Sequence, residues 1–236
     1  MSFIHSPKIV TSGLVLSLDA GNTKSYPGTG TTWYDKSGNG YIGTLTNGPT
    51  FNTGSLGSIV FDGVDDYVAV SSPQSLNPGT GSFSLEVWCK TNQNSTYNGL
   101  IEARGANLWG FLFIVDYSLP KQIALFMNPN DQASQKTYSA TITPVVTGSW
   151  QQVAVTLNRA TNNIIFYYNG VQAGSTVPLL FTGSIDPGSG YRYWVGGDLG
   201  GSEINGNISI SRQYNRTLSA SEINQNFNAV RGRYGI

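Results

Sequence analysis

Apolar residues along the chain recur with a period of two, in short runs closed by Gly, Asn, Asp and Pro, which is the pattern of strands joined by tight turns. Residues 13–21 (GLVLSLDAG) alternate Leu14, Leu16 and Leu18 with Val15, Ser17 and Asp19 and stop at Ala20-Gly21, predicting a half-buried strand. From Asn22 to Pro49 turn-forming residues dominate, with short strands predicted at Trp33-Tyr34 and near Ile42 to Leu45. Residues 58–70 (SIVFDGVDDYVAV) form two apolar runs around Asp62-Gly63, a pair suited to a tight hairpin turn. In residues 82–91 (SFSLEVWCKT), Phe83, Leu85, Val87 and Cys89 share one face, and Ser84, Glu86, Trp88 and Lys90 share the other. Further strands are predicted over 108–117, 121–128, 149–158, 163–174, 191–197 and 207–215. About ten to twelve short strands without βα alternation predict an all-β, antiparallel two-sheet sandwich or barrel.

The end of the sequence breaks the pattern. Ser219 followed by Glu222 is a capping box, Leu218 is placed to staple onto Ile223, and Ile223, Phe227 and Val230 form one apolar stripe. A short helix is predicted over 219–231, docked on the sandwich, with Gly232 placed to end it. Arg212, Arg216, Arg231 and Arg233 against Glu222 leave residues 204–236 at +3, read as a mildly basic, solvated surface or a partner contact.

Composition narrows the chemistry. In 236 residues, thirteen basic and thirteen acidic side chains cancel, so no global field favours nucleic acid. No apolar run approaches the roughly 20 residues that span a bilayer, so no membrane insertion is expected. His5 is the one histidine and Cys89 the one cysteine, which excludes a Cys/His zinc cluster and an internal disulfide and makes a Ser-His-Asp triad implausible. Cys89 reads as a small core hydrophobe. The N-terminus shows no basic segment followed by an apolar one, so no secretory signal is visible. The sequons at Asn94, Asn207 and Asn215 read as chance in a chain rich in Asn, Ser and Thr.

Four segments together resemble the laminin-G-like, concanavalin A-like jelly roll: SIVFDGVDDYVAV, SFSLEVWCKT, GSWQQVAVTLNRATNNIIFYYNGVQAG, and YRYWVGGD through INGNISISRQYNRTLSASEINQNFNAV. The flanks, GLVLSLDAGNTKSYPGTGTTWYDKSGNGYIGTL and NFNAVRGRYGI, resemble laminin-G-like domains in structural proteins of tailed bacteriophages. The resemblance implies one jelly-roll domain over 13–236 with its C-terminal helix. It also implies a place on a virion surface, made in the bacterial host cytoplasm, as capsid decoration, head fibre or tail-fibre module.

On such a fold a glycosidase must be weighed. Glucanases of this kind carry an acidic cluster on one strand, whereas Glu86 stands alone and reads as a single polar side chain on a sheet surface. Asp65-Asp66 would point to opposite faces if extended, and so could not form a dyad. A lyase would need a base such as Tyr beside Arg, and Tyr191-Arg192-Tyr193 alone does not establish one. A structural Ca²⁺ is the one cofactor considered. Asp19, Asp35, Asp62, Asp66, Asp198 and Glu203 lie in or beside turns, but turn aspartates also bond their own backbone, and no EF-hand loop is present. For sugar binding, Trp33, Tyr97, Trp109, Tyr117 and Trp194 sit near turns, while Trp88 and Trp150 read as core; for any one of these rings a core or protein-interface role outweighs a lectin role.

The expected function is therefore a non-catalytic virion surface protein, with other virion proteins and cell-surface glycans as partners, homo-oligomeric in the assembly. A stand-alone lectin-like carbohydrate-binding module is the alternative and a degenerate glucanase-like fold the third. Residues 1–12 are read as an attachment arm, with Phe3, Ile4 and Ile9, together with Ile236 at the other end, as apolar groups lacking a fold role.

Overall fold

The computed structural model describes residues 7–54, 57–92, 97–105, 108–116, 122–129, 136–141, 147–186, 188, 190–197 and 201–236. Sixteen strands are formed among them: β1 (Leu14–Asp19), β2 (Thr32–Tyr34), β3 (Ile42–Thr46), β4 (Thr50–Asn52), β5 (Ser58–Asp62), β6 (Tyr67–Val70), β7 (Phe83–Thr91), β8 (Tyr97–Arg104), β9 (Gly110–Asp116), β10 (Gln122–Asn128), β11 (Lys136–Thr141), β12 (Gln151–Asn158), β13 (Asn163–Tyr168), β14 (Val171–Pro178), β15 (Arg192–Val195) and β16 (Asn205–Tyr214). One α-helix, α1 (Ala220–Val230), follows.

The strands build two antiparallel sheets. The first runs β14-β13-β12-β7-β16-β5-β4, and the second β11-β10-β9-β8-β15-β6-β3-β2. β16 organises the first sheet: one edge pairs with β7 along its length, and the other is shared by β5 at Asn205 to Ile208 and β1 at Ile210 to Tyr214. The alternation read in 82–91 is realised, since Phe83, Leu85, Val87 and Cys89 all enter the buried layer between the sheets.

Asp62-Gly63 does not make a hairpin. β5 pairs in the first sheet and β6 in the second, so residues 62–66 cross from one to the other. Gly63, at φ +78°, supplies the left-handed residue that the corner needs, and a Cβ there would sit 2.7 Å from Asn205 Cβ. Turn chemistry signals a reversal, but not which strands flank it.

The helix caps as expected. The Ser219 side chain accepts from the Glu222 amide, and Glu222 reaches back to the Ser219 amide. Leu218 and Ile223 share a buried cluster with Tyr167 and Tyr214. Gly232 does not end it. The chain continues into a 3₁₀ turn, Arg231–Tyr234, which closes at Gly235 with φ +72°. This turn lies on the outer face of the first sheet, where Trp88 stacks between Phe227 (5.7 Å) and Tyr234 (4.3 Å). Half-buried Trp150 leans on Tyr234 at 4.8 Å.

The basic terminus is not a free surface. Arg233 forms a bidentate pair with Asp19 (2.6 and 3.0 Å), Arg216 pairs with Glu222, and Arg212 is buried beside Glu86. Residues 8–12 lie along the domain: the Val10 amide donates to Asn226, and Lys8 and Ser12 carbonyls accept from Gln225 and Arg216. Ile9 packs on the Trp88 cluster and so has a fold role. Ile236 is exposed, while Phe3 and Ile4 lie outside the described residues.

Candidate functional site

The outer face of the second sheet carries a row of residues across consecutive strands: Thr44, Ala69, Trp194, Glu102, Leu112 and Phe126. Their neighbours Val68, Val195, Ile101, Ala103, Phe111 and Phe113 point the opposite way into the core. At the centre of the row half-buried Trp194 stacks on half-buried Tyr67, with ring centroids 4.1 Å apart and planes 25° apart. The Arg192 guanidinium lies over the Trp194 ring at 5.2 Å.

Charge surrounds this stack. Glu102, fully buried, receives Arg104 Nε at 3.1 Å and lies 3.9 Å from Arg192 Nε. Arg192 also donates to the carbonyls of Arg104 and Gly105. Gly105 begins the turn to β9; its amide donates to the Trp109 carbonyl, and the Leu108 amide donates to the Gly105 carbonyl. Leu108 holds φ +60°, a strained value for this side chain, and is exposed beside half-buried Trp109. Arg192 thus connects Trp194 to the turn bearing Trp109.

Of the five aromatic candidates, Trp194 lies in this row, while Trp109 lies in the turn that Arg192 reaches, with its ring beside Gly188. Tyr97 lies on the same face at the other end of β8, 44% exposed and edge-on to Phe126 at 5.6 Å. Trp33 has no exposed surface and belongs to the core, so it presents no ring to a ligand. Tyr117 lies outside the described residues. Tyr67, Arg192 and Glu102 were not singled out for this site; the period-two spacing of Arg192 and Trp194 is the signal that could have joined them. That alternation also splits Tyr191-Arg192-Tyr193, sending both tyrosines into the core, where burial pushes their hydroxyls upward.

Glu86 corrects its sequence reading. It is fully buried beneath α1, accepting from Arg212 (3.0 Å), Gln152 (3.1 Å) and Asn226 (2.9 Å). No substrate reaches it.

Asp65 and Asp66 are also corrected. Residues 63–66 are not extended, and the carboxylates of Asp62, Asp65 and Asp66 converge within 4.8 Å of one another. Burial raises the Asp66 carboxyl above its ordinary value, the Asp62 amide opposes this, and the Asp62 and Asp65 charges add to it. Three carboxylates at this spacing suit a hard cation that takes oxygens at about 2.4 Å. Two of the other candidate ligands are engaged otherwise: Asp19 pairs with Arg233, and Asp35 accepts from the Ser17 and Ser37 amides as a turn aspartate does. Glu203 is half-buried and Asp198 lies outside the described residues.

Residues 62–224 match the family described as the concanavalin A-like lectin/glucanases superfamily. The chain belongs to that superfamily. Among solved structures it is similar to the binding domain of paraclostridial mosquitocidal protein 1, at 17% identity and TM-score 0.70, covering 92% of this chain and 52% of that one. It is similar to a botulinum neurotoxin type C structure at 17% identity and TM-score 0.67, covering 94% and 52%. It is also similar to domain 4 of AbnA, a GH43 extracellular arabinanase from Geobacillus stearothermophilus, at 19% identity and TM-score 0.64, covering 90% and 97%. At these identities the likeness is one of fold, and this superfamily chain spans about half the length of the two toxin chains. Comparison with curated protein sequences gives no match.

Proposed function

We propose that the chain is a non-catalytic, glycan-engaging domain of a virion surface protein, acting as capsid decoration, head fibre or tail-fibre adhesion module. The Tyr67–Trp194 platform carries this reading. Each ring of the stack covers one face of the other and Arg192 lies over Trp194, so a sugar would meet the face of Tyr67 turned away from Trp194 together with the ring edges. The N–H groups that Arg192 does not give to backbone carbonyls would serve the sugar's hydroxyls or an acidic substituent. Catalysis is disfavoured because Glu86 is sealed under the helix and Glu102 is already held by arginines. Relatives of the fold fit the theme: domain 4 of AbnA was solved with arabinotriose, and botulinum neurotoxin type C enters cells dependent upon interaction with two ganglioside molecules.

The virion setting rests on the resemblance of the two flanks to phage structural proteins. Other virion proteins are the proposed partners, with homo-oligomerisation in the assembly and a structural Ca²⁺ at Asp62, Asp65 and Asp66. Light scattering with and without EDTA tests the oligomer: a trimer or larger species supports it, and a monomer in both conditions removes it.

A glycan array probed with the wild type and Trp194→Ala tests the sugar reading. Binding that falls at least tenfold in the variant supports the platform; equal binding, or none to any glycan, overturns it. A stand-alone carbohydrate-binding module is the second reading, favoured by the match over 97% of domain 4 of AbnA.

A further inference from the structure

A second concavity lies away from the second sheet's aromatic face, in a part of the chain preceding the superfamily match. The segment after β1, together with Phe51 of β4 and Thr53 and Gly57 after it, lines a cleft of about 280 Å³. Half-buried Phe51 forms its aromatic wall, and Tyr26, only 3% exposed, backs that ring from the core, with ring centroids 4.9 Å apart and planes tilted by 42°. Thr23 and Thr53 supply hydroxyls, Gly28 and Gly57 leave backbone accessible, and among the described residues none that line it is charged.

The walls are fixed before any ligand arrives. The Tyr26 hydroxyl donates to the Gly30 carbonyl at 2.6 Å, and the Ser25 and Tyr26 amides both donate to the Asn22 carbonyl. Ser25 Oγ ties the same loop to Tyr34. On the other side, Gly57 approaches the Ala20 carbonyl so closely that a Cβ would stand 2.5 Å from it, and Ser209 donates to the Gly57 carbonyl. A preformed cleft spares a ligand the cost of ordering its walls.

We infer that this Tyr26–Phe51 cleft is a second ligand site, taking one ring of a neutral hexopyranoside. The aromatic wall suits the C–H face of a sugar, and threonine hydroxyls and glycine backbone suit its hydroxyls. Absence of charge among the lining residues sets the class. A sugar carboxylate buried here would lose water without gaining a cation, so uronic and sialic acids are disfavoured. The inference deepens the glycan reading but uses residues that the platform on the second sheet does not.

The test is saturation-transfer NMR on the full chain with neutral methyl hexopyranosides and with methyl glucuronide. One ring held by so few contacts is expected to bind with a Kd of about 1 mM. Thr53→Trp fills the cleft from an exposed position, so its melting temperature serves as the folding control, and Thr23→Trp repeats the test from the other rim. The expected result is binding of a neutral hexoside that falls at least tenfold in both variants, persists in Trp194→Ala, and exceeds glucuronide binding at least tenfold. Wild-type binding by both filled variants, equal binding of glucuronide, or no neutral hexoside bound at 20-fold above the expected Kd would overturn it. Loss in Trp194→Ala alone overturns the cleft while leaving the platform in place.

Discussion

Asn226 of the C-terminal helix donates its side-chain amide to Glu86 of β7 at 2.9 Å, across 140 residues of sequence, and both side chains are fully buried. The same amide group reaches the Tyr214 hydroxyl, and Asn226 Oδ1 accepts the Val10 amide. One side chain thus ties the helix, two central strands and the N-terminal segment together. The carboxylate it meets is neutralised by Arg212 rather than by water.

Removing one member of this network leaves a buried charge unpaired. Arg212→Met should cost about 3–5 kcal/mol, and the double variant Glu86→Met/Arg212→Met should recover most of that loss. Asn226→Ala should cost about 3 kcal/mol, since Glu86, the Tyr214 hydroxyl and the Val10 amide each lose a buried hydrogen bond. Urea denaturation of the single and double variants measures each value, and a double variant no better than Arg212→Met would contradict the pairing.

Arg216 holds the Glu222 carboxyl down to about 2, from an ordinary 4.5. A lowered folded-state value stabilises the fold above the unfolded value, and that contribution is lost as pH falls toward 2. The melting-temperature gap between wild type and Glu222→Gln should be constant above about pH 5 and close by about pH 2. Thermal melts across that range are the measurement, and a pH-independent gap would count against the ion pair.

Asp66 has the opposite sign. Its raised folded-state value means that its contribution is fully present below the ordinary carboxylate range and lost as pH rises. Where all three carboxylates are ionised the corner repels itself, and a divalent cation held there would relieve it. Millimolar Ca²⁺ should raise the melting temperature, EDTA should reverse the gain, and Asp65→Asn should reduce it while slightly stabilising the metal-free protein. A melting temperature that ignores Ca²⁺ would remove the cation from this corner.

Cys89 sits in the core between Val87 and Thr91 on β7, and burial pushes its thiol up to about 12. It should fail to react with a disulfide reagent at pH 8 in the native state and react stoichiometrically in guanidinium. Prompt native reactivity would show that β7 opens or packs differently.

What could be read in advance was local. The inward set Phe83, Leu85, Val87 and Cys89 follows from alternation, and the Ser219–Glu222 cap from a spacing of three. Strands β4, β8 and β11 fall outside the predicted runs: β4 is only three residues long, and β8 and β11 carry Asn, Gly, Arg, Lys and Ser within them, which masks their period. Partnerships across the fold were not legible. Asp19 meets Arg233 from 214 positions away, and nothing near Glu86 in sequence announces that a helix will cover it. The aromatic candidates divided for the same reason: Trp33 and Trp194 both lie on short strands near turns, yet one faces inward and the other outward.

The position of β16 also bears on how the protein is made. β1, β5 and β7 are all hydrogen-bonded to it, yet it is the last of the sixteen strands to be synthesised. Until residue 214 has cleared the ribosome, those three strands have no shared neighbour, and the first sheet lacks its middle. Completion of the first sheet therefore waits on residues up to 214, whereas β7, β12, β13 and β14 and most of the second sheet can pair before them, and pairings this distant in sequence form slowly.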